Sequence, residues 1–308
     1  MDSMGAYDIF LKRKAQFMKK FLIILCVVAV APLHAARADY ADDVAKWRRA
    51  EEADLTKEDG WLALAGLFWL KEGVNTVGAG TQFDVRLTDN FKQGRFGAID
   101  FHNGKATLRV AEGVAAQAGG KPISTITLVS DEAKNPTEIQ TGSELFYLIR
   151  REDRFGIRLK DRQSKARLTF KGQRWFPIDE SYKVRARLDA FPQPQEIRVP
   201  NVLGGSFRMK SPGILKFSVQ GKAYSLQPVI EDDGSLFLIF RDASNLDQTD
   251  ETGRFLHADK AVNGETVLDF NKAENPPCAF TPYATCPLAP PVNDLKIAIK
   301  AGEKRYVP

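Results

Sequence analysis

Short runs in which apolar and polar residues alternate recur along most of this 308-residue chain, and they constrain its fold most strongly. In the run RFGIRLK at 154–160, for example, Phe155, Ile157 and Leu159 alternate with glycine or charged residues. Such runs, separated by Gly, Asn, Asp or Pro, are typical of antiparallel strands. We therefore expect a mainly β fold built of antiparallel sandwich or barrel modules.

One segment has helical periodicity instead. Between residues 39 and 55, Val44, Trp47 and Leu55 can share an apolar face while the remaining positions are largely charged. The ten-residue apolar run that follows, 61–70, predicts a buried strand kinked at Gly66. The chain is expected to have four parts: a signal peptide at 1–38, a short N-terminal helix at 39–60, an N-terminal β module at 61–150 and a C-terminal β module at 151–308.

The first 38 residues have the features of a secretory signal peptide. A lysine pair at 19–20 precedes the uncharged apolar run 21–30, and small residues occupy the −3 and −1 positions of a cleavage site after Ala38. The apolar run is shorter than the roughly 20 residues that a stable membrane span needs. We expect cleavage near Ala38 and a periplasmic or secreted chain without a membrane span. Translation from either Met1 or Met18 would produce the complete leader.

Export determines how the cysteines are interpreted. Removal of the leader takes Cys26 away and leaves Cys278 and Cys286, and an even number of cysteines in an oxidising compartment favours a disulfide. Redox pairs usually have closer spacing, and zinc would need two further ligands, whereas the exported chain has only His102 and His257. We therefore expect a structural disulfide between Cys278 and Cys286, no metal site and no cofactor.

The charge distribution argues against nucleic acid as a partner. The leader contributes six basic and two acidic residues to the formal net charge of +5, so residues 39–308 carry only +1. A chain this close to neutral has no global field to hold nucleic acid. Residues 150–174 are strongly basic and residues 231–251 strongly acidic. They are either solvated faces that neutralise each other or, at the arginines, a groove for anions.

The chain contains no common catalytic motif: no G-x-S-x-G, no H-E-x-x-H, no phosphate loop and no dinucleotide fingerprint. The most informative stretch, 268–291, is irregular and proline-rich, yet it carries Asp269, Asn271, Asn275 and Tyr283. Buried polar groups in irregular backbone need partners. The stretch is therefore either a plug at the end of a barrel or the rigid rim of a pocket.

Four segments resemble the bacterial domain-of-unknown-function family sixteen-eighty-four: GWLALAGLFWL at 60–70, GRFL at 253–256, LDFNKAENPPCAFTPYATCPL at 268–288 and NDLKIAIKAGEK at 293–304. The resemblance implies a mainly β protein without an established activity. The family pattern has Tyr at the position of His257, which implies that His257 is not an essential base. The positions that match the pattern become the candidate ligand-binding residues: Arg254, Asp269, Asn271, Asn275 and Tyr283.

A fainter likeness concerns the N-terminal module. The segment GVNTVGAGTQFDVRL at 73–87 is similar to the opening of a forkhead-associated domain, which implies a β-sandwich. The arginine and the Ser-x-x-His with which such domains read phosphothreonine are missing here. We therefore do not expect phosphopeptide binding.

Three functions remain open at this stage. The first is the binding of a small polar or anionic ligand, or of an envelope protein. The second is a metal-independent hydrolase or lyase, in which Asp269 acts as a base and Arg254 as an electrostatic clamp. The third is a structural role in the envelope. A concave pocket that holds both Arg254 and Asp269 would favour the first two over the third.

Overall fold

A computed structural model of the chain describes residues 39–307, so the predicted signal peptide lies outside the described residues. Its architecture is mainly β, as the alternating runs predict. Helix α1 covers 39–55, which confirms the predicted N-terminal helix, and a single further turn of helix, α2, covers Lys165–Leu168. None of the described helices is both long enough and apolar enough to cross a bilayer.

Eleven strands precede α2 in the chain. They are β1 (Leu64–Trp69), β2 (Gly73–Ala79), β3 (Val85–Leu87), β4 (Arg95–His102), β5 (Lys105–Val110), β6 (Gln117–Ala118), β7 (Lys121–Pro122), β8 (Thr125–Leu128), β9 (Glu138–Thr141), β10 (Glu144–Arg151) and β11 (Arg154–Asp161).

Eight strands follow α2. They are β12 (Lys183–Pro200), β13 (Ser206–Val219), β14 (Lys222–Leu226), β15 (Val229–Ile230), β16 (Leu236–Asp242), β17 (Arg254–Ala258), β18 (Glu265–Asp269) and β19 (Asp294–Leu295). Single 3-10 turns lie at Trp61–Ala63, Glu180–Tyr182, Ala243–Leu246, Phe270–Lys272, Pro277–Ala279 and Pro291–Asn293.

The N-terminal strands form two sheets that share one core. One sheet has the order β1-β11-β10-β9-β6-β7 and the other β3-β2-β4-β5-β8. Phe96, Ile99 and Leu108 from the second sheet pack with Phe146 and Ile157 from the first, and all five are buried. The apolar run at 61–70 supplies β1, with an irregular register between Leu64 and Gly66, where a kink was expected. The arrangement is that of a β-sandwich, and its likeness to a forkhead-associated domain stays a prediction.

The hairpin β10–β11 crosses the predicted boundary at residue 150. Its strands pair from Glu144 opposite Asp161 to Arg151 opposite Arg154. Residues 151–161 therefore lie in the same sheet as residues 144–150. The division into modules at 150 stays a prediction, but the sheet itself continues to Asp161.

The C-terminal strands form a second layered unit. One sheet has the order β14-β13-β12-β18, and the other contains β15-β16-β17 with β19 added parallel to β16. The main core lies between them, where Leu215 and Phe217 meet Leu238, Phe240 and the irregular chain that follows β18. A smaller apolar cluster joins β12, β15, β16 and β17 to Cys286 and its neighbours.

The connection between the two halves, 162–182, is anchored by the chain that follows β19. Trp175 forms an isolated antiparallel bridge with Glu303, and the amide of Phe176 donates to the carbonyl of Gly302. The amide of Lys304 likewise donates to the carbonyl of Arg174. These bonds place the segment 302–304 beside the connection.

Candidate functional site

A cleft with a volume of about 600 Å3 lies where the hairpin β10–β11 approaches strands β16 and β17. We refer to it as the cleft. Its lining combines rings with ionisable side chains: Glu51, Asp54, Leu55, Lys57, Asp59, Gly60, Trp61, Tyr147, Lys160, Gln173, Glu231, Phe237, Phe255, His257, Glu274, Asn275, Pro277 and Phe280. Volumes of this order are typical of small-molecule sites.

Strand pairing builds the aromatic wall of the cleft. In the β16–β17 ladder Phe237 lies opposite His257, and Phe255 is two residues before His257 on the same face. The Phe237 ring stacks on the imidazole at 4.8 Å with an angle of 17° between the planes. The Phe255 ring meets Phe237 edge-on at 4.9 Å. Period-two side-chain direction in a strand thus brings three rings together.

Two glutamates flank the imidazole of His257. Glu231, just after β15, places Oε2 at 2.9 Å from Nδ1, and Glu274 places Oε1 at 3.8 Å from Nε2. Glu274 is held there by main-chain bonds, because its amide and carbonyl both pair with Phe255. His257, which the family pattern led us to dismiss as a base, therefore has a carboxylate on each side.

Glu274 also contacts a second carboxyl group, that of Glu51 near the end of α1. Burial raises the pKa of Glu274 well above the ordinary value, and the neighbouring carboxyls of Glu51 and Glu303 add to the effect. Burial also raises the pKa of Glu303 to about 7. A buried carboxyl with a raised pKa in a concave site is typical of functional residues.

Three buried oxygens beside these carboxyls have no donor among the residues that the structure describes: Oε1 of Gln173, Oδ1 of Asn275 and Oε1 of Glu303. The other polar atoms of Asn275 are engaged, since its amide donates to Glu303 Oε2 at 2.8 Å and its Nδ2 donates to the carbonyl of Lys304 at 2.8 Å. We refer to Gln173, Asn275 and Glu303 as the acceptor cluster. Gln173 and Asn275 belong to the lining of the cleft.

The opposite wall comes from the N-terminal sheet and the loop before it. Lys160 lies on β11 beside Tyr147 of β10, and its Nζ donates to the carbonyl of Asp59. Burial lowers the pKa of Lys160. Trp61 stands at the start of the 3-10 turn that leads into β1. This wall therefore offers one partly desolvated ammonium group and two rings.

Of the five predicted ligand-binding residues, only Asn275 lines the cleft. Arg254 is fully buried, where its Nη1 donates to Asp242 at 3.1 Å and to the carbonyl of Ile299 at 3.0 Å. Asp269 ends β18 and accepts hydrogen bonds from the amide and Nδ2 of Asn271, both at 3.2 Å. Asn271 also bonds to the main chain of Asp179.

The structure thus brings Asp269 and Asn271 together, but Arg254 pairs with Asp242 instead. Tyr283 is half-buried in the loop between Cys278 and Cys286, and its amide donates to Thr281 Oγ1. The lining of the cleft does not include Arg254, Asp269, Asn271 or Tyr283. A ligand-binding role for these four residues stays a prediction.

Comparison with known proteins finds a family model that matches part of the chain. The sequence model described as "Protein of unknown function (DUF1684)" matches residues 168–304, which confirms the resemblance over that segment. We refer to residues 168–304 as the DUF1684 segment, after the model that they match.

One wall of the cleft lies within the DUF1684 segment and the other outside it. Glu231, Phe237, His257 and Glu274 are inside, as are Gln173, Asn275 and Glu303. Glu51, Trp61, Tyr147 and Lys160 precede it. The complete cleft therefore requires both the DUF1684 segment and the sequence before it.

Other comparisons add little to the DUF1684 match. None of the curated proteins matches the chain. An uncharacterised protein of Haloarcula marismortui, solved by NMR, is similar at 28% identity, with 45% of this chain and 78% of that chain covered and a TM-score of 0.38.

The two cysteines of the DUF1684 segment are free in this structure, so the predicted disulfide is not present in it. They are nevertheless neighbours, because the amide of Cys278 donates to Sγ of Cys286 at 3.2 Å. A hydrogen bond from the Cys286 thiol lowers the pKa of Cys278, and the same contact together with burial raises that of Cys286. Within residues 39–307 no group of three or more His, Cys, Asp or Glu side chains is arranged to hold a metal ion.

Sequence reasoning missed Glu51, Glu231 and Glu274 as members of the site. Glu51 appeared as part of the polar face of a helix, and Glu231 as part of an acidic surface run. Glu274 stands next to Asn275 inside the irregular, proline-rich stretch 268–291. The available signal was therefore the position of Glu274 in that stretch, together with the Phe-x-His spacing of 255–257.

Proposed function

We propose that this chain is an exported protein whose cleft binds a small polar ligand. The observation that carries the proposal is the convergence of Glu231, His257 and Glu274 on a cleft walled by Phe237 and Phe255. Small-molecule sites typically combine an apolar wall with a few convergent polar groups. The volume of the cleft suits a ligand the size of an amino acid, a nucleoside or a monosaccharide.

Thermal unfolding in the presence of representative compounds tests this proposal. We expect at least one amino acid, nucleoside, aromatic amine or monosaccharide to raise the Tm of the purified protein. Phe237→Ala should abolish that shift because it removes the ring that stacks on His257. Phe155→Ala, which removes a half-buried ring that packs on Phe101 outside the cleft, should retain it. Equal Tm shifts in the two variants would contradict binding in the cleft.

A second candidate function, a metal-independent hydrolase or lyase, is favoured by the same imidazole. A histidine between two carboxylates can accept a proton from a substrate while one glutamate orients the ring. The sequence pointed to Asp269 and Arg254 for this chemistry, whereas the arrangement around His257 supports His257 and Glu274. If the protein is an enzyme, Glu274→Gln should lower kcat while leaving substrate binding measurable.

We also propose that the chain is exported and that Cys278 forms a disulfide with Cys286. These two proposals rest on the leader-like sequence at 1–38 and on the proximity of Cys278 to Cys286. Determination of the N-terminal residue of the protein from its own envelope tests the first, with Asp39 expected after cleavage. An intact N-terminus in a cytoplasmic fraction would contradict it.

A further inference from the structure

We propose that the ligand of the cleft is an organic cation, an ammonium, amidinium or guanidinium compound with an apolar part. Its N–H groups bind at Glu274 and at the two members of the acceptor cluster that line the cleft, Gln173 and Asn275. This inference rests on the proposed function and specifies the class of ligand. Three independent properties of the cleft carry it: its charge, its unpaired acceptors and its rings.

The charge of the lining is acidic. Five carboxyl groups belong to it, those of Glu51, Asp54, Asp59, Glu231 and Glu274, against the ammonium groups of Lys57 and Lys160. Lys57 is held by Asp54 at 2.5 Å, and Lys160 donates to a main-chain carbonyl. The carboxyls of Glu51 and Glu274 instead face each other. A cation that enters between two neighbouring carboxyls favours the ionised form of both.

The unpaired polar atoms in this region of the cleft are all acceptors. Asn275 lines the cleft and is 5% exposed, yet its Oδ1 has no donor among residues 39–307. Oε1 of Gln173 is also buried without a donor among these residues. A buried acceptor without a donor costs free energy, and a ligand rich in N–H groups supplies what is missing. A carboxylate or phosphate ligand would bring only further acceptors.

The rings give the cation an apolar neighbour. Phe255 is joined to Glu274 by two main-chain hydrogen bonds, so its ring belongs to the same part of the wall as the carboxyl. Phe237 stands edge-on to Phe255. Aromatic faces attract cations through their quadrupole and also cover the apolar part of a ligand. A carboxylate beside a ring is therefore a combination that suits an aromatic or aliphatic cation.

Binding should strengthen as the pH rises. A cation favours the ionised form of Glu274, and this carboxyl holds its proton to an unusually high pH. The groups that face it are Glu51, Glu303 and His257, with Glu231 on the far side of the imidazole. Deprotonation of Glu274 or of Glu303 makes this region more negative, so both act in the same direction.

Benzamidine, benzamide and benzoate form a matched set of probes, because they share size and shape and differ in charge. We expect isothermal titration of the purified protein at pH 8 to show benzamidine binding at least tenfold more tightly than benzamide, and no binding of benzoate. Affinity for benzamidine should fall when the pH is lowered to 6. Benzoate or benzamide binding as tightly as benzamidine would overturn the cation inference and leave the proposed function standing. Failure of all three probes to bind would overturn the cation inference, whereas the proposed function fails only if the Tm screen with amino acids, nucleosides, amines and monosaccharides also finds no ligand.

Two variants locate the site. Glu274→Gln and Glu51→Gln each remove one carboxylate, and each should weaken benzamidine binding about tenfold or more, since a hydrogen bond to a charged group is lost. Glu51→Gln covers the case in which Glu274→Gln fails to fold, because Glu51 lies on a helix. Glu144→Gln, a buried glutamate outside the cleft, is the control and should leave the affinity unchanged. Unchanged affinity in both cleft variants would refute the assigned location.

Discussion

The guanidinium of Arg254 lies 3.1 Å from the carboxylate of Asp242, and both side chains are completely buried. Asp242 begins the 3-10 turn Ala243–Leu246, where it also accepts from the amides of Ser244 and Ile299. Arg254 in turn donates to the main-chain carbonyls of Ile299 and Ala301. The ion pair thus joins β16, β17 and the segment that follows β19.

Removal of Arg254 should be severely destabilising. Arg254→Met leaves Asp242 buried without its cation, which costs about 3–5 kcal/mol of unfolding free energy. Urea unfolding measures this change. The exposed pair Arg208–Glu196 is the control, because its N–O distance of 3.4 Å is similar but both side chains are mostly solvated. Arg208→Met should cost less than about 1 kcal/mol. Similar losses in the two variants would contradict a structural role for Arg254.

Gly302 and Gly264 share a φ of +79° but differ in their surroundings. A Cβ at Gly302 would lie 2.6 Å from Nη2 of Arg254 and 2.7 Å from the carbonyl oxygen of Phe270, whereas a Cβ at Gly264 would meet nothing within 4 Å. We expect Gly264→Ala to cost about 1–2 kcal/mol from backbone strain alone. Gly302→Ala should cost clearly more in the same unfolding assay. Equal costs would show that the contacts around Gly302 relax freely.

Glu144 should make stability depend on pH. Burial, followed by the nearby charge of Asp161, raises its pKa to about 7, although the amide of Thr88 donates to it. Between the ordinary value, 4.5, and about 7 the folded protein holds a proton that the unfolded chain releases. The contribution of Glu144 is therefore fully present below pH 4.5 and is lost as the pH rises to 7.

Glu144→Gln removes this titration. Relative to the variant, the wild type should lose up to about 3 kcal/mol of unfolding free energy between pH 4.5 and pH 8. Urea unfolding of both proteins across this range gives the difference directly. The titration of Glu303 occurs in both proteins and therefore cancels in the difference. A difference that does not change with pH would contradict the prediction.

Oxidation should join Cys278 to Cys286. The loop of about nine residues that it closes corresponds to about 2.5 kcal/mol of stabilisation by chain entropy. Mass spectrometry of peptides prepared without reductant should find the linked pair in protein from its own envelope. In reduced protein, Cys278 should react with iodoacetamide faster than Cys286, because only the pKa of Cys278 is lowered and Cys286 is buried. Two free thiols in the envelope protein would refute the disulfide.

The fold class was accessible from the sequence because each strand shows its own alternation. The run at 154–160 is β11, the apolar run at 61–70 contains β1, and the helical pattern at 39–55 is α1. These are local properties of the chain, set by side-chain direction in a strand or helix. The pairing of β10 with β11 past residue 150 depends on register instead, and no local signal reports it.

The site was far less accessible, because its members are distant in sequence. Glu51, Glu231 and Glu274 meet only after two sheets and a helix have packed, and each has a plausible surface role when taken alone. The sequence identifies Asn275 within the stretch 268–291, but the ionisable group that this stretch contributes to the site belongs to its neighbour Glu274. The match of Arg254 to the family pattern suggested a clamp for an anion, whereas its actual partner, Asp242, lies twelve residues earlier in the acidic run 231–251.

The bridge between Trp175 and Glu303 has a consequence for shortened chains. The segment 302–304 is hydrogen-bonded to residues 174–176, directly after Gln173 in the lining of the cleft. All nineteen strands that the structure describes end at or before Leu295, so a chain trimmed back to residue 300 would keep every one of them and lose the bonds that anchor this part of the wall. Trimming of the tail by a protease should therefore loosen the wall beside Gln173 while both pairs of sheets stay intact.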